Sequence, residues 1–129
     1  MNVGSVDCPT MLRGTSVYLK NTSTTVTSDR SLKNSIEALS EEYERFLDGL
    51  EPVRYKYNEG TSGRYHVGYI AQDVKSALAE AGLSTLDFAG FVDMGSDLGL
   101  GLSYDNFIAL LHLKIKRLQE RIVALESGV

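Results

Sequence analysis

Residues 103–129 read SYDNFIALLHLKIKRLQERIVALESGV, and their apolar residues recur with alternating steps of three and four. This spacing places Ile or Val at every a position and Leu at every d position of a heptad, which is the pattern of a coiled-coil seam. The seam residues are Ile108, Leu111, Ile115, Leu118, Ile122, Leu125 and Val129. We therefore expect a C-terminal helix over residues 103–129, roughly 40 Å long, that associates with copies of itself.

Charged residues beside the seam indicate parallel chains. Arg121, at a g position, can pair with Glu126 at an e position of the next heptad on a neighbouring chain, and this contact forms only in parallel register. β-Branched residues at a with Leu at d favour two-stranded coils in model peptides. The alternative is a terminal helix that folds back across the sheet of its own chain.

Two more helices are expected before this one. Apolar residues follow a helical spacing from Leu32 to Leu50, which predicts an amphipathic helix with Ser28 and Ser31 as candidate N-caps and Asp48-Gly49 at its end. A shorter helix is expected from about Ala71 to Ala81, closed by Gly82.

Strand patterns occupy the stretches between these helices. Residues 53–70 alternate apolar and polar side chains around a turn-forming stretch at residues 59–63, which predicts a β-hairpin. A third strand is expected at residues 88–94, before a glycine-rich stretch at residues 95–101. Because the lysine and hydroxyl residue of a P-loop are missing from that stretch, the sequence favours a tight turn over a phosphate site.

The first 27 residues differ in composition from the rest. They are rich in Ser, Thr and β-branched residues, which favours extended structure over helix. A strand at residues 16–26 would have too few apolar residues to cover a face alone, so it would need a neighbour. The alternative is a linker.

Composition excludes several classes of function. The net charge of −4 argues against a broad nucleic-acid or anionic-membrane surface, because such surfaces need clustered Lys and Arg. No apolar run is long enough to span a bilayer. Cys8 is the single cysteine, and together with His66 and His112 it makes no convincing zinc set, so neither a metal nor another cofactor is expected.

Four segments, taken together, resemble the intramolecular chaperone domain of endosialidase-type phage tailspikes, the Peptidase_S74 family. They are SDRSLK at 28–33, LEPVRYKY at 50–57, HVGYIAQDV at 66–74, and LGL at 98–100 leading into Ser103-Tyr104 and the coiled coil. The resemblance covers about residues 28–125. It implies an α+β fold, in which a small domain of helices and antiparallel hairpin sheet carries a long coiled-coil helix in a parallel homotrimer.

The resemblance also implies a domain organisation and a function. Residues 1–27 would be the end of a delivered phage fibre, spike or appendage protein, residues 28–102 the globular chaperone region, and residues 103–129 the coiled-coil helix. The chaperone would trimerise, align and help fold the upstream protein, and then be released by autoproteolysis. This would take place in the host cytoplasm during assembly, with the parent protein in the virion tail.

By the same resemblance, Ser28 is the nucleophile and Lys33 its base, with Asp29 and His66 as possible supporting residues. Residues five apart on a helix point away from one another, so the two can meet only if Ser28 precedes the helix or if they belong to different chains. The plain alternative is that Ser28 is an N-cap and Lys33 a solvated surface lysine.

The bond that is cut is also an expectation. Attack by Ser28 on the carbonyl of Thr27 passes through a five-membered ring, whereas attack on its own carbonyl needs a four-membered one. Cleavage is therefore expected at Thr27–Ser28, with Ser28–Asp29 as the alternative if the hydroxyl acts on another chain.

Two other functions compete with this one. A non-catalytic oligomerisation module would stay attached as a permanent clamp. A similar domain could instead belong to a membrane-anchored eukaryotic regulator, although the low basic charge and the Thr-rich leader favour a phage protein. The expected partners are copies of the chain and its own upstream segment, without nucleic acid or membrane.

Overall fold

The computed structural model describes residues 25–60 and 62–128. Most of the predicted leader and Val129 of the predicted seam therefore lie outside the described residues. The described elements are a 3-10 turn at Arg30–Leu32, helix α1 at Glu41–Asp48, strands β1 at Val53–Tyr55 and β2 at His66–Gly68, helix α2 at Ala71–Glu80, a second 3-10 turn at Thr85–Asp87, strands β3 at Phe91–Asp93 and β4 at Leu100–Leu102, and helix α3 at Asp105–Ser127.

The hydrophobic core forms where the three helices meet the second sheet. Helix α2 packs against α1, β3 and β4, and α1 packs against α3. Phe46 of α1 and Val74 of α2 are completely buried, and the Phe46 ring meets Phe88 edge to face at 5.0 Å. The buried residues are Phe46, Val74, Ala77, Leu78, Ala81, Phe88, Phe91, Phe107 and Leu110.

Both described sheets are antiparallel pairs. Strands β1 and β2 pair with Val53 opposite Gly68, which confirms the predicted hairpin, although its strands are shorter than the alternation indicated. Strands β3 and β4 pair with Phe91 opposite Leu102. The sequence predicted β3 but not β4, because glycines interrupt the apolar pattern there.

The glycine-rich stretch between β3 and β4 is a tight turn, as predicted. The amide of Gly99 donates to the carbonyl of Gly95 at 2.8 Å, and the amide of Met94 donates to the carbonyl of Gly99 at 2.9 Å. Gly95 and Gly99 have φ values of +89° and +79°, a region in which a side chain is disfavoured, so glycine suits both positions.

The predicted start of the first helix is wrong. Helix α1 begins at Glu41, and residues 33–40 are not helical. Leu32 and Ile36, which the periodicity assigned to a buried face, are 70% and 57% exposed. Ser35 has φ +54°, a left-handed conformation that interrupts an α-helix, whereas three acidic residues in the first turn of α1 favour a helix start there.

The long C-terminal helix is confirmed, from Asp105 to Ser127. Its first turns bury Phe107 and Leu110 in the core. Lys114 pairs with Asp48 at 2.9 Å, and Arg117 pairs with Glu44 at 3.3 Å. The helix therefore packs on α1 through a face distinct from the predicted seam, and the mixed α+β class with a long terminal helix is confirmed.

Candidate active site

A tight turn directly follows the predicted nucleophile, Ser28. Asp29 accepts two hydrogen bonds on one carboxylate oxygen, from the backbone N–H and from the hydroxyl of Ser31, both at 2.8 Å. The amides of Leu32 and Lys33 then donate to the carbonyls of Asp29 and Arg30, closing one turn of 3-10 helix. At Lys33 the backbone becomes extended, with φ −123° and ψ 158°. The chain therefore turns once between Ser28 and Lys33 and does not continue as a helix.

The turn brings together the predicted nucleophile and base. The Lys33 amine Nζ donates a hydrogen bond to Ser28 Oγ at 2.6 Å within one chain. Both residues are exposed. An ammonium group has three protons and no lone pair, so this contact has Lys33 as donor, and the amine must lose a proton before it can accept one from Ser28.

An α-helix through the same residues would separate the two side chains. Residues five apart on an α-helix differ by about 140° around its axis. The contact between Lys33 and Ser28 thus depends on the 3-10 turn and the extended residue after it. Of the two arrangements that the sequence left open, the contact within one chain has Ser28 ahead of the helical turn.

Asp29 remains ionised through the neutral range. The backbone N–H of Ser31, and then its hydroxyl, hold the pKa of Asp29 below its ordinary value, because both bonds favour the carboxylate. In the described contacts its carboxylate binds Ser31 and neither Ser28 nor Lys33. Asp29 therefore shapes the turn without touching either member of the dyad.

His66 lies on strand β2, away from these contacts. Its ring stacks on Tyr55 with centroids 5.8 Å apart and meets Tyr57 edge to face at 5.0 Å. Its Nε2 atom is buried and has no hydrogen-bond partner in the described part of the chain. No described contact joins His66 to Ser28 or Lys33, and its surroundings are those of a packing residue.

A cleft of about 300 Å³ lies beside the hairpin. The Tyr104 hydroxyl accepts a hydrogen bond from the amide of Tyr69 at 3.2 Å at this cleft. The pKa of Tyr55 is raised, first by its hydrogen bond with Tyr57 and then by burial. Neither Ser28 nor Lys33 lines the cleft, so the dyad lies on an open surface outside it.

The predicted seam is exposed along its described length. Its residues are 43% to 71% exposed, at Ile108 67%, Leu111 45%, Ile115 62%, Leu118 43%, Ile122 55% and Leu125 71%. Because α3 packs on the core and on α1 through a neighbouring face, this apolar stripe faces solvent in the single chain.

The described residues contain neither a metal-binding group of side chains nor a membrane-spanning helix. Within residues 25–60 and 62–128, no group of His, Cys, Asp and Glu side chains is arranged to hold a metal ion. In the same residues, no helix combines the length and apolar character needed to cross a membrane.

The sequence does not indicate the structural role of Ser31. By its pattern Ser31 is only a candidate helix cap, whereas in the structure both its amide and its hydroxyl donate to Asp29. The signal that could have found it is the Asp-x-Ser spacing, because an Asp side chain commonly accepts hydrogen bonds two residues further along the chain.

Comparison with known proteins confirms the resemblance. Residues 28–83 match the family model Peptidase_S74, described as chaperone of endosialidase. A capsule-specific depolymerase of Klebsiella phage KP32 is 37% identical over 89 residues, which cover 63% of this chain and 10% of the depolymerase. The chain thus spans about a tenth of the length of that relative.

One solved structure shares the fold. A crystal structure of an intramolecular chaperone superimposes with a TM-score of 0.57 at 20% identity, covering 73% of this chain and 99% of the other. At this identity the likeness concerns the fold alone.

Proposed function

From the match of residues 28–83 to the Peptidase_S74 family model, we propose that this chain is an intramolecular chaperone that trimerises and then cuts itself free of an upstream phage protein. The upstream protein would be a tail fibre, spike or appendage. Assembly would take place in the host cytoplasm, and the partners would be two further copies of the chain and its own upstream segment. The observation that carries the proposal is the 2.6 Å contact between Lys33 Nζ and Ser28 Oγ.

The chemistry follows from this pair. A neutral Lys33 amine takes the proton of the Ser28 hydroxyl while Oγ attacks the carbonyl carbon of Thr27. The bond from that carbon to the Ser28 nitrogen breaks, and the nitrogen takes the proton back from Lys33. The result is an ester between Thr27 and Ser28 Oγ, with a free amino group on Ser28.

Water completes the cut. A water molecule adds to the ester carbonyl, Oγ leaves with a proton, and Thr27 becomes the new C-terminal carboxylate. One water molecule is consumed and Ser28 regains its hydroxyl, now as an N-terminal residue. The alternative is cleavage at Ser28–Asp29 by the hydroxyl of another chain.

The exposure of the dyad is consistent with a site that is inactive in the single chain. Water stabilises the ammonium form of an exposed lysine, and that form cannot act as a base. Association through the exposed seam would bring three copies together, and coverage of Lys33 by a neighbouring chain would favour the neutral amine. Cutting would then follow assembly, and positioning would supply part of the acceleration.

Several observations support the trimeric part of the proposal. The described seam residues form one continuous exposed stripe on α3. Arg121 and Glu126 carry no described ion pair within the chain and stand at the g and e positions that face a parallel neighbour. We propose three chains over two because the globular region and the leader also contribute to the choice.

The experiment is mass spectrometry of the full-length parent protein, expressed with Ser28 and as Ser28→Ala. A fragment that begins at Ser28, and that is missing from the variant, is the expected result. An intact chain in both preparations would favour a permanent oligomerisation clamp. That second function is supported by the exposed seam, which would hold chains together whether or not Ser28 is a nucleophile.

A further inference from the structure

The contact between Ser28 and Lys33 depends on residues that touch neither of the reacting groups. Between the two lies the turn in which Asp29 accepts the amide and the hydroxyl of Ser31 on one oxygen. These are the only side-chain hydrogen bonds described within residues 29–32, and the turn buries no residue. Its shape is therefore set by hydrogen bonds and not by packing.

An alternative conformation competes with this turn. The apolar periodicity from Leu32 to Leu50 and the serines upstream would suit an amphipathic helix beginning near Ser28. A helix there would move Lys33 about 140° around the axis from Ser28. Asp29 opposes that outcome because it is the N-cap of the turn. Its backbone is extended, with φ −68° and ψ 134°, and its carboxylate accepts the Ser31 amide, so the helical turn begins after Asp29 and excludes Ser28.

The Ser31 hydroxyl has a second effect. It donates its proton to Asp29, and no contact between the Ser31 and Lys33 side chains is described. Of the two serines in the segment, only Ser28 is bound by the amine. In this turn the Lys33 amine therefore donates to the Ser28 hydroxyl and not to the Ser31 hydroxyl.

We propose that Asp29 and Ser31 are positioning residues, whose hydrogen bonds hold Lys33 Nζ within reach of Ser28 Oγ. The inference rests on the proposed autoproteolysis and adds to it the residues that set the geometry of the dyad. Asp29 acts as a hydrogen-bond acceptor at this position. Any side chain that accepts the same two bonds will therefore serve.

The test compares Asp29→Ala, Asp29→Asn and Ser31→Ala in the 129-residue chain, with Arg30→Ala as the matched control. Arg30 lies in the same turn, is exposed, and makes no described side-chain hydrogen bond. The rate at which the intact mass is lost should fall about 10-fold to 100-fold in Asp29→Ala, because small displacements of reacting groups have effects of that size. Ser31→Ala keeps the amide donor and should lose less.

Rescue by the conservative variant separates positioning from a general loss of stability. Asp29→Asn keeps an oxygen that accepts both bonds, so it should cleave close to the wild-type rate. The melting temperature and the oligomeric state should be the same in all variants, because the turn contributes nothing to the core. A slow Asp29→Asn chain that is fully folded would overturn the acceptor role.

A direct measurement tests the geometry without cleavage. In Ser28→Ala/Asp29→Ala and Ser28→Ala chains, which leave the backbone uncut but lack the hydroxyl that Lys33 binds, NMR scalar couplings and interproton distances report the backbone of residues 29–33. Loss of the 3-10 turn at Arg30–Leu32 on changing Asp29 is expected, and persistence of the turn would overturn the inference. If Ser28→Ala or Lys33→Ala chains cleave at the wild-type rate, the autoproteolytic proposal itself fails, and the NMR result still decides the role of the turn.

Discussion

Replacing Ile115 with aspartate tests whether α3 carries the interface between chains. Ile115 is at the centre of the seam and 62% exposed in the single chain. Complete burial of an Ile side chain contributes about 1.5–3 kcal/mol, so covering the exposed part contributes about 1–2 kcal/mol per chain. Summed over three chains, Ile115→Asp should cost about 3–6 kcal/mol per trimer before the repulsion of three buried carboxylates is added. At about 1.4 kcal/mol for each tenfold change, the trimer equilibrium constant falls about 10²-fold to 10⁴-fold.

Sedimentation velocity over a concentration series measures this change, and Val123→Asp is its matched control. Val123 lies on the same helix, is 56% exposed and stands outside the a and d positions. The two variants make the same change of charge at β-branched helical residues, so their effects on helix propensity are similar. We expect trimers for the wild type and Val123→Asp and monomers with an unchanged circular dichroism spectrum for Ile115→Asp. A trimeric Ile115→Asp chain, or equal dissociation of both variants, would refute the assignment of the seam.

Three further predictions concern the single chain. Phe46→Ala should lower the free energy of unfolding by about 3–5 kcal/mol in urea, because the ring is fully buried, whereas Leu32→Ala, 70% exposed, should change it by less than about 0.5 kcal/mol. Burial first, and nearby carboxylates second, raise the pKa of Tyr43 above its ordinary 10.0. The contribution of this shift to stability is therefore complete below pH 10 and is lost as the pH rises through the pKa of the folded state. The free energy of unfolding should fall less steeply with alkaline pH in Tyr43→Phe, and an unchanged pH profile would contradict this. Gly68→Ala should cost about 1–3 kcal/mol of unfolding free energy, because a Cβ there meets the hydroxyl of Tyr104, and the double variant with Tyr104→Phe should recover part of the loss if that clash is the cause.

The elements that could be predicted are those whose pattern and packing agree. The Val53–Ile70 alternation gave the first hairpin, and the apolar spacing with Gly82 gave α2. Helix α3 was predicted from its heptads, although the same pattern did not reveal that Phe107 and Leu110 would be buried in the core. Periodicity identifies an apolar face of a helix, but it does not show which of two apolar faces packs in the core of the same chain.

The elements that could not be predicted are those where the local backbone conformation or a glycine overrides the apolar periodicity. Leu32 and Ile36 have helical spacing, yet the turn at Asp29 and the left-handed Ser35 keep them out of α1. Strand β4 was missed because its central residue is Gly101, which the sequence assigned to the preceding turn. The two members of the candidate dyad were named from the resemblance, and whether they meet within one chain or between two was left open, because periodicity does not show where the helical segment begins.

The non-helical segment between Lys33 and α1 also links the predicted seam on α3 to the candidate dyad. Helix α3 is tied to α1 by the pairs of Lys114 with Asp48 and Arg117 with Glu44, as well as by the core. Residues 34–40 then join α1 to Lys33. If three chains associate along α3, each α1 takes a fixed place around the common axis, and the non-helical segment determines how far from that axis the dyad lies. A helix continued back to Ser28 would leave Leu32 and Ile36 on one helical face and the dyad apart. The non-helical segment instead leaves those two apolar residues exposed and close in sequence to Lys33, so a neighbouring chain that covers them would also remove water from Lys33.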